Sequence, residues 1–461
     1  MKTSTSPWLH QLDHERPITK LREDIATDVA VVGAGIAGIS TAFFLLKNTD
    51  KRIVILEKFR LAHGATGHNA GQVVSYFERS FASMTKEFGL KMAGEGCGAI
   101  DGAWELIDQM YTEAGLNIPF SRFTGHVGFS SALQLMNFLE DARLRKRAGL
   151  IIEECFVAHD APFIGSIPAA FAGLYTTVPR GDILARLETV NDSFVACISH
   201  QKGTINSALF CQEVLAYLLK KYSDRFHIYE ETLIGKVVLK KDHAILDAID
   251  HTVTASRVVL CTNGFENVTI LNESGLDIDV KFHHDVIGVV GYMSGYLEKY
   301  NKPPAAISYF TDPDQSMEDP YFYLTRRLYE YDKNDKGTSH NLICVGGPEI
   351  DLDDRREYIP DYDYPEKAHQ DIDQFIKETV LPGKNQEKDG KKDIDYKFTW
   401  HGLMGYTPNM IRRIGFEPKN PVLLYNLGCN GTGILPSVYG GDRISRLIKG
   451  DKLAPSIFDP K

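Results

Sequence analysis

Short apolar runs separated by glycine, charge or polar turns set the pattern of the chain. Residues 29–32 (Val-Ala-Val-Val) and 53–56 (Ile-Val-Ile-Leu) are continuously apolar, as expected for strands covered on both faces. Between them, 39–47 predicts a buried helix. Ala103, Leu106, Ile107 and Met110 recur at helical spacing, so 101–114 predicts a helix continuing a helical region that begins near Ser83. Further helices are predicted at 132–148 and from 204 to about 221, the latter capped by Thr204 or Asn206. Strand-like runs occur at 125–129, 173–178, 226–229, 236–239 and 256–260. A β-rich layer follows at 286–293, 321–324 and 342–345. Segments 312–319 and 331–339 predict exposed turns, and the charge-dense 351–364 and 384–395 predict solvated surface.

Composition narrows the class. With 43% hydrophobic and 24% charged residues over 461 positions, the chain is globular and long enough to bury a large core unaided. Its net charge of −10 argues against nucleic-acid or anionic-membrane partners, which need a basic footprint. The seven cysteines form no CxxC pair, which fits a reducing compartment and predicts no metal site. No basic-then-apolar leader pattern occurs in 1–28, so a cytoplasmic location is expected. The uncharged run 29–46 has nearly the length of a membrane span. Gly33, Gly35 and Gly38 divide it, so a strand, a tight turn and a helix explain it better.

That division is a dinucleotide fingerprint. Gly33-Ala-Gly-Ile-Ala-Gly38 follows the first apolar run and opens the predicted helix. Gly33 permits the tight turn, Gly35 lets backbone approach a pyrophosphate, and Gly38 allows close packing of helix on strand. Ile36 and Ala37 lie just ahead of the predicted helix, whose N-terminal N–H groups attract phosphate. Glu57, beside Lys58, ends the second strand where an acid can accept hydrogen bonds from ribose hydroxyls. The fingerprint alone leaves NAD and FAD both open.

A second small, polar, glycine-rich stretch, 64–72, follows at once and suggests a larger cofactor. Here the chain resembles the D-amino-acid oxidase-like family of FAD-dependent oxidoreductases, which includes glycine oxidase, sarcosine oxidase, dimethylglycine dehydrogenase and γ-glutamylputrescine oxidase. The resemblance rests on 33–57, 64–72, 258–264 (Val-Val-Leu-Cys-Thr-Asn-Gly), 400–415 and 426–433. It implies bound FAD. Thr66, Gly67, His68, Asn69, Ala70, Gly71 and Gln72 would pass beneath the flavin, and Ile234 would border the adenine. Thr262 would return to the nucleotide sheet. Gly402, with Gly428, Asn430, Gly431, Thr432, Gly433 and Ile434, would meet the flavin end. In one branch of the family a histidine at a place comparable to His68 bonds covalently to the flavin. Here the alternative is a histidine that only hydrogen-bonds beside it.

The largest departure from the family lies at 400–409, Trp-His-Gly-Leu-Met-Gly-Tyr-Thr-Pro-Asn. The amino-acid oxidase branches place an arginine there to grip the substrate carboxylate. This chain has Met404, which cannot form that ion pair. Arg326 or Arg327 could replace it. Tyr406 and His401 are the expected catalytic groups, with Tyr323, Arg326 and Met404 binding substrate.

By resemblance the fold is α/β, a Rossmann-like FAD-binding domain (1–115, 200–270, 396–461) interleaved with a β-rich α+β substrate domain (116–199, 271–395). The implied reaction oxidises a C–N bond of a small amine or amino acid. Hydride passes to flavin N5 and leaves an imine that hydrolyses, with oxygen as acceptor. Two alternatives remain. One is a dehydrogenase passing electrons to a quinone or carrier protein. The other is a flavoprotein that binds a metabolite without turnover.

Overall fold

The computed structural model describes residues 4–264, 268–278, 286–300, 302–332, 339–352, 358, 363–380 and 394–461. The expected surface segments 331–339, 351–364 and 384–395 fall largely outside these residues. The fold is mixed α/β with two large sheets.

The first sheet has nine strands. At its centre Ile25–Val32 pairs in parallel with Ile53–Leu56 and with Thr252–Leu260. Leu423–Leu427 then adds in parallel to Thr252–Leu260. Strands brought together from the start, middle and end of the chain thus share one hydrogen-bonded core. Such parallel strands are covered on both faces, which is why Ile53–Leu56 is buried throughout. One cover is the helix Ile36–Asn48, and beside it lies Ile434–Lys449. Their backbones nearly touch: a Cβ on Gly441 would lie 2.7 Å from the Ser40 carbonyl carbon. The uncharged run 29–46 is therefore strand, turn and helix. No helix among the described residues is long and apolar enough to cross a membrane.

The second sheet has ten strands. Ile287–Lys299 lies between Tyr396–Tyr406 and Ser339–Leu352, and Phe322–Glu330 and Ala305–Phe310 follow in order. The sheet continues through Phe120–Phe129 and Ala196–Ile205. Gln72–Val73 joins its edge from the 64–72 loop. Five of its strands, Gln72–Val73, Glu154–Ala158, Ala196–Ile205, Ala305–Phe310 and Tyr396–Tyr406, are not marked by the sequence pattern. Tyr396–Tyr406 hydrogen-bonds into this second sheet, although the expected division groups 396–461 with the nucleotide sheet.

Smaller differences have local causes. The helical region from Ser83 to 114 is three helices, Phe81–Phe88, Leu90–Asp101 and Ala103–Ala114, broken at Gly89 (φ 79°) and Gly102. Thr204 is the penultimate residue of a strand. Asn206 is the cap of Ser207–Lys221, its Oδ1 accepting from Leu209 N at 2.9 Å.

Candidate functional site

On the nucleotide side the recognition surface is mostly bare backbone. Gly33 has φ +103°, and a Cβ there would lie 2.8 Å from Cys261 O. A Cβ on Gly38 would lie 1.9 Å from Gly33 O, so no side chain fits at that crossing. Gly35 is the N-cap of Ile36–Asn48 and offers no side-chain cap. Ile36 N donates to Thr66 Oγ1 at 3.0 Å, and Ala37 is buried in the same turn. Glu57 braces this turn: Oε2 accepts from Ala34 N at 2.7 Å and Oε1 from Phe59 N at 2.9 Å. Burial pushes its pKa up, opposed by those two N–H bonds. Lys58 is exposed, its ammonium 5.1 Å from the Phe59 ring centre. Ile234 is packed in the core beneath the sheet, and Thr262 lies just past the Thr252–Leu260 strand.

The second loop is held from three directions. Thr66 O accepts from Ser207 Oγ at 2.6 Å and from Asn69 Nδ2 at 3.0 Å. Asn69 O accepts from Trp8 Nε1 at 2.5 Å, and Ala70 O accepts from Thr325 Oγ1 at 3.1 Å. Gly67 has no room for a Cβ, which would lie 2.5 Å from Ala62 O. Gly71 is equally tight, at 2.5 Å from the Trp8 ring. His68 shares a 2.9 Å hydrogen bond between Nδ1 and Gly64 O. A carbonyl can only accept, so Nδ1 carries the proton and Nε2 the lone pair. Burial lowers the pKa of His68 and keeps the ring neutral.

The C-terminal loop closes the arrangement. Gly428, Asn430 and Gly431 have φ of 85°, 47° and 78°. Asn430 Oδ1 accepts from Thr407 N at 2.8 Å, and Asn430 N donates to Gly405 O at 2.9 Å, tying the loop to the strand Tyr396–Tyr406. Thr432 is buried, and Gly433 caps the helix beginning at Ile434 without a side-chain hydrogen bond. A Cβ on Gly402 would lie 2.5 Å from His68 O, so that strand also runs directly against the second loop. Two uncapped helix N-termini, a cradle that any Cβ would fill and an acid braced at the turn fit a dinucleotide cofactor.

The substrate side follows from strand alternation. Gly402, Met404 and Tyr406 occupy one face of their strand, and His401 and Leu403 the other. His401 is therefore not in the pocket. It packs against Tyr292, with ring centres 5.8 Å apart, and shares a 3.1 Å hydrogen bond through Nδ1 with Tyr358 Oη. The same parity separates Tyr323 from Arg326. The Arg326 guanidinium is forked onto Glu188, at 2.6 and 2.7 Å, and its Nε donates to Pro303 O at 2.7 Å. Three of its five N–H groups are engaged there, on the face of the sheet away from Tyr323. Arg327 is on the Tyr323 face but is buried under Trp8, 5.1 Å from the ring centre.

Tyr406 and Tyr323 remain at the site with Met404. Burial, then the charges of Glu349 and Glu78, hold the Tyr406 hydroxyl well above its ordinary pKa, so it stays a hydrogen-bond donor. The same two acids act on Tyr323 after burial. These two acids border the candidate site, and the sequence pattern does not single them out. A Cβ on Gly431 would lie 2.6 Å from Glu78 Cγ and 3.0 Å from Tyr406 Oη. Glu78 Oε1 accepts from Tyr321 Oη at 3.1 Å, and burial raises its pKa to about 7. Lys202 lies behind it, fully buried, donating to Ser308 Oγ at 3.1 Å; burial lowers its pKa to about 7. Glu78 also borders a cavity of about 120 Å³ lined by Phe77, Phe138, Phe310 and His200. The one sequence signal for Glu78 is an acid soon after a cofactor loop.

Known proteins match this architecture. The fold is similar to that of glycine oxidase from Geobacillus kaustophilus, at 15% identity, covering 94% of this chain and 98% of that one, with a TM-score of 0.65. It is similar too to L-proline dehydrogenase from P. horikoshii, at 12% identity, 95% and 97% coverage, and a TM-score of 0.66. Among curated proteins, the γ-glutamylputrescine oxidoreductase of Escherichia coli (strain K12) is 38% identical over 77 residues. That match spans 17% of this chain and only 18% of the relative's length. Over residues 28–447 the sequence matches the DAO family, and the chain belongs to these FAD dependent oxidoreductases.

Proposed function

We propose that the protein oxidises a C–N bond of a small amine or amino acid. The observation carrying this reading is that Gly402, Met404, Tyr406 and Tyr323 share one sheet face against the 64–72 and 428–433 loops. When bound, FAD would supply the two-electron chemistry that converts the amine carbon to an imine, which water then hydrolyses. The chain's part is positioning and electrostatics. Tyr406 offers a phenolic O–H that stays protonated and can orient the substrate nitrogen. Met404 gives an apolar wall where the substrate carbon must lie dry. The N-terminus of Ile434–Lys449 favours negative charge on a reduced ring.

Anaerobic bleaching of the flavin bands by members of a panel of amines, N-methyl amino acids and amino acids is the expected result. A panel that leaves the bands unchanged, or tight binding without bleaching, overturns the reading. Oxygen is the proposed acceptor, and peroxide formed in step with substrate loss checks it against dye reduction alone. A histidyl link is the finer possibility at His68, whose Nε2 carries the lone pair. Yellow colour retained by acid-precipitated protein supports it, and full release into the supernatant overturns it. Two interleaved domains and a cytoplasmic setting complete the proposal, the latter supported by seven unpaired thiols.

A further inference from the structure

Two carboxyl groups stand on the substrate side with no part in the chemistry above. Glu78 is half-buried beside Gly431, and among the described residues its side chain is hydrogen-bonded through Oε1, which accepts from Tyr321 Oη. Glu349 reaches the same face through a β-bulge. Tyr323 pairs with Gly346 and Gly346 with Met293, yet Glu349 pairs with Gly291, so the extra residue turns Glu349 toward the Tyr323 side. Gly291 in turn pairs with Gly402, and a Cβ on Gly291 would lie 3.1 Å from Met404 Cε. Two bare glycines thus let the Met404 side chain and the 64–72 loop close directly onto the sheet beside Glu349. Among the described residues the Glu349 side chain makes no hydrogen bond or ion pair.

Among the described residues no cation forms an ion pair with either acid. The charge of Lys202 acts on Glu78 from beyond contact, while its ammonium donates to Ser308 Oγ at 3.1 Å and to His126 O at 3.4 Å. Burial, then the charges of Glu78 and Asp351, raises Glu349 to about 8. Two ionised carboxylates this close in a largely desolvated site are costly, and either a held proton or a bound cation relieves that cost.

We propose, resting on the amine reading above, that the substrate carries a second cationic group besides the reacting nitrogen, held by Glu78 and Glu349, and no carboxylate beside that nitrogen. Its class is a diamine or polyamine. The reacting nitrogen must be uncharged so that its lone pair can assist loss of hydride from the adjacent carbon, whereas the distal ammonium stays charged throughout. Its charge is therefore a handle for binding that does not oppose the chemistry.

The test is anaerobic flavin bleaching of the holoenzyme by three compounds of one chain length: butane-1,4-diamine, butylamine and 4-aminobutanoate. The expected order of reduction rate over dissociation constant is diamine first, by about tenfold or more over butylamine, with the amino acid last. Glu349→Gln should cut the diamine at least about tenfold while butylamine changes less than about threefold. An unchanged visible flavin spectrum in the variant shows that its pocket is intact. Equal reduction by diamine and butylamine in the wild type overturns the inference and leaves the amine reading standing. So does a Glu349→Gln variant with an unchanged diamine preference. Bleaching by neither these nor any other amine overturns the amine reading, and the inference with it.

Discussion

The nucleotide side and the substrate side of this molecule are made of opposite materials. Around Gly33, Gly35 and Gly38 the surface is main chain, fixed so tightly that a single methyl group would collide with a carbonyl. Around Tyr406 the surface is side chain, with Tyr323, Met404, Glu78 and Glu349 projecting from four separate segments. Main chain recognises what every dinucleotide has in common. Side chains choose, and they can be exchanged while the sheet beneath them stays the same.

The contrast can be broken first at Gly38. Gly38→Ala places a Cβ against Gly33 O and should cost at least about 3 kcal/mol, with loss of bound flavin. The ratio of flavin to protein absorbance checks it; a variant that keeps a full complement of flavin would show that the turn has slack.

On the other side, Glu78 should store a pH-dependent instability. Its folded pKa of about 7 lies above the usual 4.5, so the folded state holds the proton more tightly than the unfolded chain. The stability this gives is complete below 4.5 and is lost as pH rises through 7, about 3 kcal/mol in all. Glu78→Gln should flatten that fall, with a Tm above wild type at pH 8 and near it at pH 4.5. Parallel melting curves across this range would remove Glu78 from the buried set.

The reverse face of the substrate sheet should behave as structure. Arg326→Met leaves Glu188 without its fork and should cost about 2 kcal/mol of stability, with KM within about twofold of wild type. A tenfold rise in KM at unchanged Tm would put Arg326 in the pocket after all. The smallest effect is expected at His401→Phe, which loses one hydrogen bond to Tyr358, about 1 kcal/mol. Its kcat should stay within about threefold, and the wild-type pH profile should be retained.

Legibility follows the same division. The first strand, turn, helix and second strand are contiguous, so spacing alone exposes them. The roles of His401 and Arg326 turn on strand parity, and the parity of 396–406 is hidden because both faces are covered. Trp400 and His401, neighbours pointing oppositely, are both buried, so no polar alternation marks the strand. Glu349 is hidden more deeply. It reaches the pocket face only through a bulge, and a bulge is a property of the pairing between two strands. Glu78 meets Tyr406 only across Gly431, a contact among three distant segments.

The near-contact of Gly441 with Ser40 also has a consequence for biosynthesis. The helix that opens the pyrophosphate turn, Ile36–Asn48, is synthesised well before its packing partner Ile434–Lys449. During translation its apolar face stays uncovered until that partner has been made, so this half of the nucleotide site closes by a contact between segments far apart in the chain.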